Sequence, residues 1–107
     1  MGGEVYDSKK EMHRHQELLL LERAGKISDL QRQVEFPLLP TQRETIMKNG
    51  VLRQGKVLER GVVYTADFVY MENGHKVVED VKGVKTRDYI LRRKMMLYFH
   101  GIRIREV

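Results

Sequence analysis

Two segments of the chain carry apolar residues at the spacing of an amphipathic helix. Residues 8–24 begin at Ser8, a good N-cap, and Glu11 stands three positions later, which is the capping-box spacing. Residues 86–100 show the second helical pattern, and a glycine follows each segment where a helix would end. The apolar positions that support the two helices are Met12, Leu19, Leu20, Ala24, Tyr89, Leu91, Met95, Met96 and Phe99.

The remaining regular patterns are those of β-strands. Residues 30–39 alternate weakly, and residues 61–71 are rich in Val, Tyr and Phe. The dipeptide Asn73-Gly74 predicts a hairpin turn because both residues tolerate positive φ. Residues 75–82 are therefore predicted to return beside 61–71.

Residues 40–58 have the least regular pattern. Thr41 and Glu44 have the spacing of a short helix cap, and Gly50 and Gly55 interrupt any element that begins there. We therefore predict a long, partly ordered and variable connection over these residues.

Residues 102–107 (IRIREV) alternate as a short final strand. The predicted order is helix, strand, strand, strand, helix, strand, which is an α/β arrangement. A chain of 107 residues has the size of one domain, so we expect a single domain over 1–107.

Composition narrows the classes of protein. The chain has no Cys, which excludes disulfides and thiolate zinc sites and suggests a cytoplasmic protein. No apolar run approaches the roughly 20 residues that span a bilayer, and no signal-peptide pattern is present, so no membrane partner is expected. A net charge of +5 favours a polyanionic partner, because Lys and Arg that meet phosphates release counterions.

The four histidines do not predict a zinc site. His13 and His15 are two apart on a helix and do not face a common point. His75 lies beside a turn, and His100 lies at a helix end, where a cation suits the helix dipole. Each is interpreted as a surface or capping residue.

The predicted hairpin over 61–82 holds the most informative group of residues. Side chains alternate along a strand, so Asp80 and Lys82 point to one face and Glu79 to the other. Asp67 lies about as far before the turn as Asp80 lies after it, so the two acids are expected at or near cross-strand positions. Mg²⁺ takes such carboxylate ligands, and it can activate water and stabilise charge on a phosphate. The alternative is a surface charge pair on an edge strand.

A third acid on the first helix has two interpretations. Glu11 could complete a metal site over the sheet, but its position in the capping box already explains it, and the local sequence favours the cap. Glu17 and Glu22 on the same helix are alternatives, and both are most simply solvated.

Basic residues come after the hairpin and could line a phosphate backbone, although a solvated helix face is the usual explanation for such a run. Lys94 is singled out, because a helix after the hairpin can return a cation towards the carboxylates. The candidate DNA-binding residues are Lys85, Arg87, Arg92, Arg93 and Lys94, with Arg103 and Arg105 as an extension.

Several of these motifs resemble one family. The strings A66-D67-F68-V69-Y70, N73-G74 and V78-E79-D80-V81-K82-G83, with S8-K9-K10-E11 and L30-Q31-x-Q33, are similar to small phage and prophage proteins long grouped as DUF1064. Those proteins belong to the PD-(D/E)xK nuclease superfamily and are related in pattern to Holliday-junction resolvases. The resemblance covers nearly the whole chain except residues 40–58.

The resemblance implies a restriction-endonuclease-like core with a mixed central sheet flanked by helices, and a Mg²⁺ or Mn²⁺ site. It implies that Asp67, Asp80 and Glu11 bind the metal and that Lys82 is the catalytic lysine. It thereby reverses the local interpretation of Glu11. Ala66 stands where the proline of the superfamily motif would be. Glu79 beside Asp80 makes the second acid of the motif ambiguous, and Asp80 is selected because it shares a strand face with Lys82.

The expected function is metal-dependent endonuclease cleavage of DNA, in branched substrates such as Holliday junctions. A homodimer is expected, because symmetric cleavage of a junction needs two active sites. One alternative is a nucleic-acid-binding or assembly protein that uses a nuclease scaffold without catalysis. Another is a nuclease for flap, nicked or single-stranded DNA.

Overall fold

The computed structural model describes Tyr6 and residues 8–107. Within these residues the elements follow in the order α1 Lys9–Arg23, β1 Ser28–Leu39, β2 Gln42–Lys48, β3 Val51–Glu59, β4 Val62–Glu72, β5 His75–Asp80, α2 Arg87–His100 and β6 Arg105–Glu106.

A mixed four-stranded sheet with the strand order β1-β4-β5-β6 forms the centre of the molecule. β1, β4 and β5 are antiparallel, and β6 runs parallel to β5. A tight turn cannot join parallel strands, and α2 supplies the crossover between β5 and β6. Apart from β2 and β3, the order is α-β-β-β-α-β, which confirms the predicted layout.

Both helices begin at a capping hydroxyl. Ser8 Oγ accepts a hydrogen bond from the Glu11 N–H at 3.1 Å, and Thr86 Oγ1 accepts one from the Tyr89 N–H at 3.1 Å. Gly101 follows α2 with φ of 65°, a left-handed conformation that favours glycine. Neither helix in the described residues has the length and apolar character needed to cross a membrane.

Apolar side chains pack on both faces of the sheet. Val77 and Val78 are successive residues of β5 and belong to different clusters, so the clusters occupy opposite faces. One cluster includes Leu18 of α1, and the other includes Tyr89 and Met96 of α2. The sheet therefore lies between the two helices.

The central strands change face midway along their length. Leu30 of β1 packs with the α1 cluster, whereas Val34, four positions on, packs with the α2 cluster. An ideal strand would keep these two residues on one face. On β4, Phe68 belongs to the α1 cluster and Ala66, two positions earlier, to the α2 cluster. On β1, Gln33 lies between Leu30 and Val34 and has a φ of 52°. The β1–β4 pair is therefore irregular at Gln33, and the side chains on either side of this level occupy opposite faces.

The prediction of an irregular connection over residues 40–58 is wrong. β2 and β3 pair as an antiparallel hairpin, which we call the hairpin arm (Gln42–Glu59). Asn49 and Gly50 turn it with φ of 52° and 77°, as Asn73 and Gly74 turn the β4–β5 hairpin with φ of 51° and 77°. The weak hydrophobic alternation hid the arm, because its side chains are exposed on both faces.

The hairpin arm projects from the body of the protein. Among the residues that the structure describes, neither of its strands packs appreciably against an element other than its partner, and the molecule measures 61 × 32 × 29 Å. At the root of the arm, the Gly61 N–H donates to Thr41 Oγ1 at 3.1 Å. A Cβ at Gly61 would lie 2.8 Å from the Leu39 carbonyl oxygen, so the close approach of these two backbone segments requires glycine.

Candidate active site

The candidate site lies where β4 and β5 separate. Their pairing ends at Phe68 opposite Glu79, and beyond it β4 stays with β1 while β5 continues beside β6. Asp67 and Asp80 occupy the first position past the last pair, as their distances from the turn predicted. Asp67 Oδ2 accepts a hydrogen bond from the Val81 N–H at 2.8 Å. A carboxylate thus replaces the strand partner at the fork.

Asp67 and Asp80 interact directly across this fork. Burial, followed by contact with Asp80, raises the pKa of Asp67 to about 7. The Val81 N–H opposes this shift, and the charge of Glu11 adds to it. Without a cation, the pair cannot readily hold two negative charges.

Asp80 is held from two sides. Its side chain is 1% exposed, and the Tyr64 hydroxyl donates to Oδ2 at 2.5 Å. Burial, followed by contact with Asp80, raises the pKa of Tyr64, which keeps the hydroxyl a neutral donor. Lys82 Nζ lies 3.1 Å from Oδ1 as an ion pair. No donor in residues 8–107 is aligned for a hydrogen bond to Oδ1.

The alternation along β5 separates the two neighbouring acids as predicted. Lys82 lies on the side of Asp80, with its ammonium 4.5 Å from the centre of the Tyr89 ring. Glu79 faces α1, where the Arg14 guanidinium donates two hydrogen bonds to it at 2.8 Å and the Tyr70 hydroxyl donates one at 2.6 Å. Both Glu79 oxygens are engaged in structural contacts, so Asp80 is the acid available to the site.

Glu11 points from α1 towards the same region. It is 3% exposed, Gln33 Nε2 donates to its Oε1 at 3.1 Å, and Arg32 Nη2 lies 3.5 Å away. The cap at Ser8 uses the backbone N–H of Glu11. The side chain of Glu11 is therefore available to interact with residues of β1. Glu17 pairs with Arg14 and Glu22 accepts the Leu30 N–H, so these alternatives have structural roles.

The acids fit a divalent cation in part. The half-buried Asp67 and the buried Asp80 offer abutting carboxylates with one unsatisfied oxygen, the arrangement that a hard cation would relieve. Yet no three His, Cys, Asp or Glu residues among those described are grouped to hold a metal. Asp67 and Asp80 are thus the preformed pair, and Glu11 would need to exchange partners to join them.

A cleft of about 250 Å³ opens beside Asp80 and Lys82. Arg92 lines it, donates to the Val63 carbonyl at 2.9 Å and pairs with Asp88. Lys94 is exposed and lines a different cavity with Arg93 and Glu106, and its return towards the carboxylates stays a prediction. Arg92 is two positions away and faces the other side of the helix.

The other predicted DNA-binding residues are dispersed. Arg93 and Lys85 both pair with Glu106, at 3.0 and 3.3 Å. Arg87 is exposed in the first turn of α2, Arg105 pairs with Glu72, and Arg103 is exposed. Among these cations, only Arg92 lines the cleft beside Asp80.

One histidine differs from its predicted surface role. His15 is 5% exposed, lies 5.5 Å from the Phe68 ring and hydrogen-bonds the Tyr6 hydroxyl at 2.8 Å. His13, His75 and His100 are exposed, as expected.

Sequence reasoning missed Tyr64 and Gln33 as neighbours of the acids. Tyr64 lies three residues before Asp67, so ideal alternation places it on the opposite face. Gln33 lies on β1 with a left-handed backbone conformation, and from there its side chain reaches Glu11 on α1. Strand alternation carries no signal for either contact, although Gln33 stands in the motif L30-Q31-x-Q33 of the family resemblance.

These features define an α/β protein with a pair of carboxylates, one buried and one half-buried, and a lysine at a strand fork. The chain matches the family described as "Protein of unknown function (DUF1064)" over residues 1–106, and it belongs to that family. No curated protein and no solved structure matches the chain.

Proposed function

We propose that this protein is a metal-dependent DNA endonuclease of the PD-(D/E)xK class. The observation that carries the proposal is the contact of Asp67 with Asp80 at the fork, with Lys82 paired to Asp80. A merely structural role does not explain a buried and a half-buried acid in contact, because like charges on neighbouring strands are unfavourable. A functional cation explains them.

Each residue of the site has a role in phosphodiester hydrolysis. Asp67 and Asp80 would bind Mg²⁺ or Mn²⁺, and Glu11 is the third candidate ligand from the family resemblance. When bound, such an ion activates water and stabilises charge on the scissile phosphate. Lys82 would donate from Nζ to the attacking water or to a phosphate oxygen, while Tyr64 keeps Asp80 in place. The water oxygen bonds to phosphorus and loses a proton, while the bond from phosphorus to the departing sugar oxygen breaks and that oxygen gains a proton.

The substrate proposed is branched DNA such as a Holliday junction, cut by a homodimer in the cytoplasm of a bacterial host. The family resemblance supports this setting, with the gene carried by a phage or prophage. Exposed apolar side chains on α2 support self-association; they are Leu91, Leu97, Tyr98 and Phe99.

A second candidate is a nucleic-acid-binding or assembly protein without catalysis. Its support is that Gln33 and Arg32 engage Glu11, so that the described residues present two acids rather than three in one group.

Cleavage of labelled four-way junction, flap and linear duplex DNA with Mg²⁺, Mn²⁺ or EDTA tests these candidates. Asp80→Asn is expected to abolish cutting while retaining DNA binding. Asp29→Asn is the matched control, because Asp29 is exposed and its φ of 57° suits asparagine. Cutting of the junction alone supports resolution, and equal cutting of all three substrates removes the junction preference. Binding without cutting under either metal would establish the second candidate.

A further inference from the structure

The hairpin arm carries an excess of positive charge that the candidate active site does not use. Its two acids are Glu44 and Glu59, and its four cations are Arg43, Lys48, Arg53 and Lys56. All four cations are exposed. Charge therefore favours an anionic occupant.

The two faces of the arm differ near its tip. Arg53 pairs with Ile46 across the arm, and paired residues share a face. Lys48 is two positions after Ile46 on β2, so the two cations near the tip, Lys48 and Arg53, lie on one face. Met47 pairs with Leu52 on the opposite face, and both are 66% exposed. The tip of the arm thus carries cations on one face and exposed apolar side chains on the other.

The arm leaves the sheet at the end where the candidate site lies. Because β4 and β5 are antiparallel, the start of β4 and the end of β5 at Asp80 point to the same end of the sheet. Arg92 connects the two regions, since it lines the cleft beside Asp80 and bonds to Val63 near the root of the arm. A polymer that enters the cleft can therefore continue along the arm.

We propose that the hairpin arm binds nucleic acid duplex beside the bond to be cut, with its cationic face on the phosphates. This inference rests on the proposed endonuclease function and adds the surface that holds the flanking duplex. A two-stranded ribbon fits the major groove, which is about 12 Å wide. Met47 and Leu52 would then contact base edges or the neighbouring backbone. A second copy of the chain is a poorer occupant, because pairing two arms brings like charges together.

The arm's length sets the size of the contact. The seven residues of β2 extend about 24 Å at roughly 3.4 Å per residue, which equals about seven base pairs at about 3.4 Å each. Hydroxyl-radical footprinting should show that stretch protected on one side of the cut site.

The test compares two double variants of the full chain. Lys48→Gln with Arg53→Gln removes two cations from the arm. Arg23→Gln with Lys26→Gln is the control, because both residues are exposed and Lys26 lies beside Asn73 and Gly74 at the other end of the sheet. Fluorescence anisotropy in EDTA measures affinity for linear duplex and four-way junction at several KCl concentrations, and thermal unfolding confirms that each variant is folded.

The arm variant is expected to lower the slope of log affinity against log salt by about 1.8, since each phosphate contact contributes about 0.9. Its footprint should shorten, and the control should keep the parental slope and footprint. Equal slopes for the arm variant and the parent would overturn the inference and leave the endonuclease proposal intact. A parent that binds neither DNA would overturn both. An unchanged slope with conversion of a dimer to a monomer would identify the arm as an interface between copies and overturn the inference.

Discussion

The Tyr64 hydroxyl donates a 2.5 Å hydrogen bond to the buried carboxylate of Asp80. The bond leaves Oδ2 satisfied and Oδ1 directed towards Lys82 and the fork. It makes Tyr64 a positioning residue for the candidate metal ligand, because it fixes the orientation of the carboxylate.

Tyr64→Phe is the first test of that role. We expect a loss of about 1–2 kcal/mol of stability, because Asp80 loses a buried donor. We also expect cleavage to need about tenfold more Mn²⁺ for half-maximal rate, as loss of a group that orients a metal ligand usually costs at least this much. The same substitution at Tyr98, which is 83% exposed, is the control. A destabilised variant with the parental Mn²⁺ requirement would show that Tyr64 has only a structural role.

The pH dependence of stability tests the Asp67–Asp80 contact in the metal-free protein. The folded pKa of Asp67 is about 7, raised from 3.8, so the folded state favours the protonated acid. The contribution of Asp67 to stability should be fully present below about pH 4 and be lost as pH rises to about 7, because the unfolded chain releases this proton at the lower pH. Asp67→Asn should flatten that fall in EDTA, as measured by the melting temperature between pH 4.5 and 8. Equal pH profiles for parent and variant would show that burial and Asp80 do not raise the pKa of Asp67, and Asp29→Asn should retain the parental profile.

Glu79 and Asp80 are adjacent but should respond differently to neutralisation. Glu79→Gln is expected to cost about 1–3 kcal/mol, because it breaks a buried pair whose partner Arg14 is partly exposed. The variant should still cleave DNA when folded. Asp80→Asn should lose cleavage but keep most of its stability. Glu35→Gln on the surface should lose neither stability nor cleavage. Urea unfolding and single-turnover cleavage separate the two effects. Loss of cleavage in folded Glu79→Gln would contradict the assignment of the second acid.

Lys82→Ala should reduce turnover more than metal affinity. Removal of one positioned cationic donor lowers turnover by about 10² to 10³-fold, whereas loss of a positive charge beside Asp80 does not weaken cation binding. Isothermal titration with Mn²⁺ and single-turnover cleavage measure the two quantities, with the exposed Lys26→Ala as control. Lost Mn²⁺ binding with intact cleavage would exclude the proposed role.

Local sequence predicted the parts of the site that depend on local geometry. Alternation along a strand placed Asp80 with Lys82 and away from Glu79, and the Asn73-Gly74 turn set the position of Asp67 against Asp80. The same dipeptide at Asn49-Gly50 turns the hairpin arm, but the arm was not predicted, because its exposed strands lack the alternation that a buried face imposes.

The sequence alone therefore determined the core order of elements, the helix caps and the face shared by Asp80 and Lys82, all of which depend on periodicity and short-range hydrogen bonding. Tertiary structure decided that Tyr64 reaches Asp80, that Gln33 engages Glu11 and that Arg92 rather than Lys94 lines the cleft. These contacts arise where β1 and β4 change face and where β4 separates from β5. The positions of side chains there depend on how several elements pack together, and no single segment encodes that arrangement.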